Sequence, residues 1–397
     1  MVCPRLASAT KRGDRSNAAH HKGEFSRMRI AQVAPLYESV PPKLYGGTER
    51  VVSYLTEELV RLGHEVTLFA SGDSETNARL VAACDRALWR DPNCRETLPH
   101  HVRLVELVFR EARKFDVIHF HCDYVHFPLL RRHSIPTVTT LHGRVTSHDL
   151  GGLFHEYSEA ALVSISDDQR RPLPEANWQA TVHHGLPLHL HTFRQQAGDY
   201  LLFVGRISPE KRLDRAIEIA RRAGRQLKVA AKIYDEDRSY YQSSIEPLFR
   251  ESRSFVEFIG EVGGKDKDEL MGNAYAFLFP IDWPEPFGLV MIESLACGTP
   301  VIAWNNGSVP EILSDGVTGF VVDTVDEAVK AVSDVARLDR GACRRAFEQR
   351  FDATRMAHDY LEVYSRLIEK AASSRCISPH ATSDEVMTAW PTLSHVS

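Results

Sequence analysis

Tyr200-Leu201-Leu202-Phe203-Val204-Gly205 is a short β-rich apolar run, and it starts for a second time a pattern that first starts at Ile30-Ala31-Gln32-Val33-Ala34. Each run has the length of a buried strand and is too short for a core helix. After the second run comes the helical period of Leu213 to Ala223, then strands at 226–233, 255–259, 275–279, 300–303 and 319–322 with helices between. After the first comes a helix over Thr48 to Leu62, with Val51, Val52, Leu55, Leu59 and Leu62 on one face and Gly63 as its stop. Strands at 65–69, 116–120, 136–141 and 161–165 follow, with helices near 98–114 and 150–160. Strands alternating with helices build parallel sheets covered on both faces. The sequence therefore predicts an α/β protein of two Rossmann-like, doubly wound domains, 28–190 and 191–350, facing across a cleft. Leu186 to Gly198, which has no clear period, is the linker. The stripe Met356, Tyr360, Val363, Tyr364 and Leu367 makes residues 351–372 a helix that crosses back onto the first domain.

Composition narrows the function. The 397 residues, 43% hydrophobic and 25% charged, suffice for two self-sufficient cores. A net charge of −5 creates no field that would gather polyanions, which argues against nucleic acid as a partner. Seven cysteines, an odd number with no CxxC pair, point to a reducing compartment and a cytoplasmic location. No apolar run approaches the roughly 18 to 20 residues that span a bilayer. Residues 1–27, with six basic and two acidic side chains and no apolar signal core, read as a disordered leader, and the polar residues 373–397 as a disordered tail.

The strongest chemical signal is Glu285-Pro286-Phe287-Gly288-Leu289-Val290-Met291-Ile292-Glu293. Glu285 falls in a loop and Glu293 about two helical turns into the helix that follows. The first N–H groups of a helix lack partners, so Phe287, Gly288, Leu289 and Val290 offer backbone donors to hydroxyl or phosphate oxygens. Two carboxylates that accept from vicinal hydroxyls, beside such amides, suit a nucleotide sugar. Taken alone, the two residues are better read as a solvated loop acid and an ordinary helix glutamate. Gly46-Gly47, between the first strand and first helix, lets a backbone without Cβ atoms approach phosphate or sugar. Glu49, in that helix's first turn, suits the helix dipole and is given no catalytic part.

Together with Gly205-Arg206-Ile207-Ser208-Pro209-Glu210-Lys211-Arg212-Leu213, Tyr45-Gly46-Gly47-Thr48-Glu49 and Gly307-Ser308-Val309-Pro310-Glu311-Ile312, this segment resembles the GT-B retaining glycosyltransferases of family 4, the glycosyl transferases group 1. The resemblance spans residues 28 to 370. It implies a GT-B fold and transfer of a hexosyl group, with retention, from a UDP-glucose or GDP-mannose type donor to a hydroxyl acceptor. The acceptor would be a small molecule, a glycan or a lipid-linked sugar.

Carried onto this sequence, the resemblance makes Arg206 and Lys211 the cations that hold the diphosphate. Glu285 contacts hydroxyls of the transferred sugar, Glu293 the ribose, and His142 the donor sugar or acceptor. Glu285, His142, Arg206 and Lys211 are thus the expected catalytic residues. Gly46, Gly47, Phe287, Gly288, Leu289, Val290 and Glu293 join Arg206, Lys211 and Glu285 in donor binding. A forked guanidinium and a point-charge ammonium fit the negative charge of a departing nucleoside diphosphate. His184 stands before Gly185 where relatives carry asparagine, so altered contacts are expected at the hinge.

No cofactor is expected, and no metal. Asp235-Glu236-Asp237 fits an Asp-x-Asp metal motif, but so does Asp266-Lys267-Asp268, and two cations already serve the diphosphate. His119, His121, Cys122 and His126 lack a second ligand pair with zinc spacing. No GxGxxG or P-loop occurs. Helix 98–114, basic on one side and apolar on the other, admits peripheral membrane contact, yet residues 28–185 hold 17 basic and 20 acidic side chains. An ordinary buried face is the reading adopted. The rival functions are a nucleotide-sugar epimerase or hydrolase on the same plan and a non-catalytic two-lobed sugar-binding protein.

Overall fold

A computed structural model describes residues 25–44 and 46–377; residues 1–24 of the leader, Tyr45, and residues 378–397 of the tail lie outside the described residues. Two all-parallel sheets organise the chain. The first has the order β3-β2-β1-β4-β5-β6-β7, with β1 Arg29–Val33, β2 Glu65–Ser71, β3 Arg79–Cys84, β4 Val117–Phe120, β5 Thr137–Thr140, β6 Ala161–Ser164 and β7 Trp178–Thr181. The second has the order β10-β9-β8-β11-β12-β13, with β8 Leu201–Arg206, β9 Leu227–Lys232, β10 Val256–Gly260, β11 Ala276–Phe279, β12 Val301–Trp304 and β13 Gly319–Val322. These are two Rossmann-like lobes. β3 and β7 were not expected from sequence. Both are edge strands whose side chains stay partly exposed, so neither carries the continuous apolar run of a doubly covered strand.

In each sheet the winding reverses beside the first strand, between β1 and β4 and between β8 and β11. The crossovers there leave in opposite directions, and a crevice opens beyond the carboxyl ends of the strands. The two crevices face each other, which places the cleft.

The helix Ala353–Ile377 starts two residues inside the expected span 351–372 and continues through 373–377, residues expected to belong to a disordered tail. Met356, Tyr360, Val363 and Tyr364 are buried against Ile30, Val51, Leu55, Leu59, Val117 and Val138 of the first lobe. Fully burying one such side chain stabilises by about 2 kcal/mol, so this helix is an integral part of the first lobe's core. The chain passes between the lobes twice, and the two passages are bonded together. The Leu186 N–H donates to Phe351 C=O at 2.9 Å, and the Ala353 N–H donates to Leu186 C=O at 3.0 Å. Gly185 permits this approach, since a Cβ there would lie 2.5 Å from the Asp352 carbonyl oxygen. Helix Leu98–Glu111 buries Leu104, Val105, Val108 and Phe109 in the first lobe and leaves Leu98 and Val102 exposed at 62% and 56%.

Candidate active site

A cavity of about 640 Å³ fills the space between the two crevices. Two helices begin at it, Gly47–Arg61 from the first lobe and Leu289–Ala296 from the second. Each is entered through a glycine at positive φ, Gly46 at 137° and Gly288 at 79°. The starts nearly touch, since a Cβ on Gly47 would lie 3.6 Å from Leu289 Cδ1. Amides in a first turn precede any carbonyl their own helix can offer, and both helix dipoles turn positive ends to the cavity. An anion between them is stabilised from two sides.

The second lobe furnishes the cavity with ion pairs. The Lys211 ammonium donates to Glu285 Oε2, which also accepts from Trp283 Nε1 at 2.9 Å. That ammonium lies 5.0 Å from the Trp283 ring centre and 5.5 Å from that of Phe279. The Arg206 guanidinium meets Glu210 at 2.7 Å, Asp237 at 3.2 Å and Glu236 at 3.4 Å. Glu293 is buried and accepts from Lys267 Nζ at 2.5 Å. Burial opposes its ionisation, but the Lys267 ammonium, with His191 and Arg50 nearby, outweighs that and holds its pKa below the ordinary carboxylate value. The Gly307-Ser308 turn props the glutamate loop. Ser308 N–H donates to Glu285 C=O at 3.0 Å, its Oγ donates to Phe287 C=O at 2.8 Å, and a Cβ on Gly307 would lie 2.4 Å from Glu285 backbone atoms.

Strands β1, β4 and β5 of the first lobe furnish it with uncharged hydrogen-bonding groups, while Arg50, from the helix that follows β1, brings a cation to the same wall. His142, just past β5, has Nε2 2.9 Å from His121 Nδ1, and His121 Nε2 is 2.8 Å from Gln32 Oε1. The His142 ring stacks at 5.3 Å on His184, which meets the Phe287 ring edge-on at 4.8 Å. His184 therefore reaches across the cleft as well as sitting at the hinge. Burial lowers the pKa of all these histidines, His142 to about 3, so they are uncharged at neutral pH. Glu49 lines the same wall, and burial raises its pKa to about 7 against the pull of backbone N–H groups at Glu49 and Glu38.

All the residues expected from sequence line this one cavity: Gly46, Gly47, His142, Arg206, Lys211, Glu285, Phe287, Gly288, Leu289, Val290 and Glu293. What the sequence did not disclose is that Lys211 and Arg206 are engaged by carboxylates. Arg50, Lys267 and Trp283 also line the cavity and escaped notice. Lys267 stands in a mixed charge run that reads as solvated, whereas Trp283, two residues before Glu285, was open to detection. Arg212 pairs with Asp214 and Asp282 at 2.8 Å each.

Asp235, Asp237 and Asp268 of the two Asp-x-Asp patterns have other partners. Asp235 pairs with Arg238 at 2.6 Å, Glu236 and Asp237 meet Arg206, and Asp268 accepts from Thr192 N–H at 2.9 Å with His191 Nδ1 at 3.1 Å. His126 Nε2 lies 2.9 Å from Thr139 Oγ1, and its ring stacks on Phe120. His119 bonds Tyr364 and Thr140. The histidines of this segment thus point to separate partners.

Comparison with known proteins agrees with this geometry. Residues 192–349 match the family described as Glycosyl transferases group 1, and residues 45–172 match Glycosyltransferase Family 4. The chain is 26% identical over 398 residues to the glycogen synthase of Mycobacterium tuberculosis, covering 85% of this chain and 94% of that one. AviGT4, a glycosyltransferase involved in avilamycin A biosynthesis, superposes with a TM-score of 0.66 at 26% identity, covering 86% of this chain and 98% of that one. Anabaena HepE, solved with UDP-glucose, superposes with a TM-score of 0.64 at 17% identity over 87% of this chain and all of that one. Among the described residues no helix is long and apolar enough to cross a membrane. With two family matches covering both lobes in order and the cleft assembled between them, this chain belongs to the GT-B glycosyltransferases of family 4, the glycosyl transferases group 1, enzymes of carbohydrate biosynthesis.

Proposed function

We propose that the enzyme moves a hexosyl group from a nucleoside diphosphate sugar of the UDP-glucose or GDP-mannose type to a hydroxyl acceptor, with retention and without a metal ion or other cofactor. The observation that carries this reading is the pair of helix starts at Gly47 and Leu289, meeting at one cavity beside Lys211 and Arg206. That is a cradle for pyrophosphate. Lys211 and Arg206 bind it by exchanging their carboxylate partners for phosphate oxygens. Glu285, released from Lys211, accepts from hydroxyls of the transferred sugar, and Glu293 from the ribose. The base lies against backbone near 233–234 and 259–262. HepE, solved with UDP-glucose, offers a precedent for such a donor on this fold.

In the transfer step the acceptor oxygen bonds to the anomeric carbon on the face from which the diphosphate departs. The anomeric C–O bond breaks with its electron pair going to the phosphate, and the acceptor proton passes to a phosphate oxygen. The two cations stabilise the charge that develops on the leaving group. Among the described residues, the lining carboxylates Glu285, Glu210 and Glu293 are each paired with a cation, which supports this front-face route over a double displacement. Cysteine usage puts the reaction in a reducing compartment, the cytoplasm.

The test is incubation with UDP-glucose or GDP-mannose and a panel of saccharide and lipid-linked acceptors in the presence of EDTA. Release of nucleoside diphosphate and the anomeric configuration of the product are followed by proton NMR. Acceptor-dependent release and a product of unchanged configuration are expected. Equal donor breakdown with and without acceptor would replace this reading with the hydrolase or epimerase.

A further inference from the structure

A continuous chain of hydrogen-bonded, largely buried side chains joins His142 to the last helix. His142 Nε2 and His121 Nδ1 are 2.9 Å apart, His121 Nε2 and Gln32 Oε1 2.8 Å, Gln32 Nε2 and Tyr364 Oη 3.0 Å. Tyr364 Oη and His119 Nδ1 follow at 2.7 Å, His119 Nε2 and Thr140 Oγ1 at 2.8 Å, Thr140 Oγ1 and Tyr360 Oη at 2.9 Å. A polar side chain at Gln32, in the middle of central strand β1 and fully buried, is otherwise costly there.

The direction of the chain follows from the orientation of the Gln32 amide, whose Nε2–H donates to Tyr364 Oη at 3.0 Å and leaves the Tyr364 hydroxyl to donate to His119 Nδ1 at 2.7 Å. Gln32 then has only its carbonyl left to face His121, so His121 carries its proton on Nε2. Being neutral, it must accept at Nδ1. His142 in turn must donate from Nε2, which leaves Nδ1 as the ring's acceptor. Nδ1 has no hydrogen-bond partner among the described residues. Turning the Gln32 amide over would reverse every one of these bonds and make Nδ1 a donor. Six hydrogen bonds then run in one sense from His142 to Tyr360, and aligned bonds of this kind polarise one another, strengthening the buried, unpartnered Nδ1 at the chain's end as an acceptor.

We propose that Gln32, His121 and Tyr364 are positioning residues that hold His142 as its Nε2–H tautomer, with Nδ1 kept as the acceptor for a hydroxyl of the transferred sugar. The last helix thereby acts on the cleft as well as on the core. The role given to the hydroxyl rests on the donor reading above. The tautomer does not, and it is measured without substrate, so the two can fail separately.

The experiment is nitrogen-15 NMR of the full chain labelled at histidine, with His142 assigned through His142→Gln, alongside steady-state kinetics on the donor. In the parent, Nε2 of His142 is expected to be protonated and Nδ1 bare. Tyr364→Phe, which keeps the ring, and Gln32→Met, which keeps the volume, are each expected to convert His142 to a mixture of tautomers. Each should also lower kcat/KM about tenfold, the scale on which loss of an orienting partner acts. Val363→Ala removes packing from the same helix without touching the chain, and should leave the His142 signals unchanged and kcat/KM within about twofold. A protonated Nδ1 in the parent, or Tyr364→Phe and Gln32→Met proteins with the parent's His142 signals, would overturn the proposal.

Discussion

The two lobes share a frame but equip the cleft in opposite ways. In the second lobe the cavity meets ion pairs: Lys211 with Glu285, Arg206 with three carboxylates, Lys267 with Glu293. On β1, β4 and β5 it meets uncharged imidazoles aligned by hydroxyls and an amide. A diphosphate carries charge and tolerates variation in angle, so cations suit it. A sugar hydroxyl carries direction and little charge, so a ring fixed in tautomer and orientation suits it. On the proposed reading the cations of the second lobe take the diphosphate, and the imidazoles of the first face a hydroxyl of the sugar.

Acid should separate the lobes most strongly. Burial lowers the pKa of His126 and His142 to about 3, and that of His119, His121 and His184 falls in the same direction. In the unfolded chain these rings take up protons near pH 6.5. The stability they provide is complete above that pH and is lost as pH falls below it. At pH 5 His126 and His142 each cost about 2 kcal/mol. In the second lobe Asp268, lowered to about 2 although burial opposes it, and Glu293 keep their stabilising pairings until pH falls below about 4. Hydrogen exchange at pH 5 should therefore show lost protection in residues 29–181 before residues 201–322. Simultaneous loss would break the comparison.

Next in size, Lys211→Ala should lower kcat by about 100- to 1,000-fold, the effect of removing one preorganised charge partner from a developing anion. Steady-state assays with saturating acceptor check it. Glu49 tests the neutral wall from the other side. Its pKa of about 7 lies above the unfolded value of 4.5, so the folded state loses stability as pH rises from 4.5 to 7. Glu49→Gln should gain up to about 3 kcal/mol over the parent at pH 8 and nothing below pH 4.5, read from urea midpoints. The smallest effect concerns the joint. Glu311 accepts from the Asp167 and Asp168 amides of the first lobe at 2.7 and 2.8 Å, with His183 Nε2 at 3.2 Å. Glu311→Ala should cost about 1 kcal/mol and widen the spread of lobe orientations seen by small-angle scattering.

Much of the frame was legible because a doubly covered parallel strand must be apolar along its whole length. Ala276–Phe279 and Val301–Trp304 declare themselves that way, whereas the edge strands Arg79–Cys84 and Trp178–Thr181, partly exposed, do not. The glutamate loop was legible because its chemistry lies in consecutive residues. Pairing was not. Lys267 meets Glu293 and Tyr364 meets Gln32 only after two helices are placed, and no local pattern encodes such distances. His119 and His121 show the limit from the other side, for their spacing suggests a metal while the fold spends both on bonds to neighbours.

The division of labour between the lobes is tested most directly by calorimetric titration of the free nucleoside diphosphate and of its sugar, UDP with UDP-glucose and GDP with GDP-mannose. The account expects Lys211→Ala to weaken both members of the pair that binds, by at least about tenfold, equivalent to 1.4 kcal/mol. His142→Ala should leave the free diphosphate within about twofold of the parent and weaken only the sugar nucleotide. A parent that binds neither nucleotide, or a His142→Ala protein that loses the free diphosphate as fully as Lys211→Ala does, would contradict it.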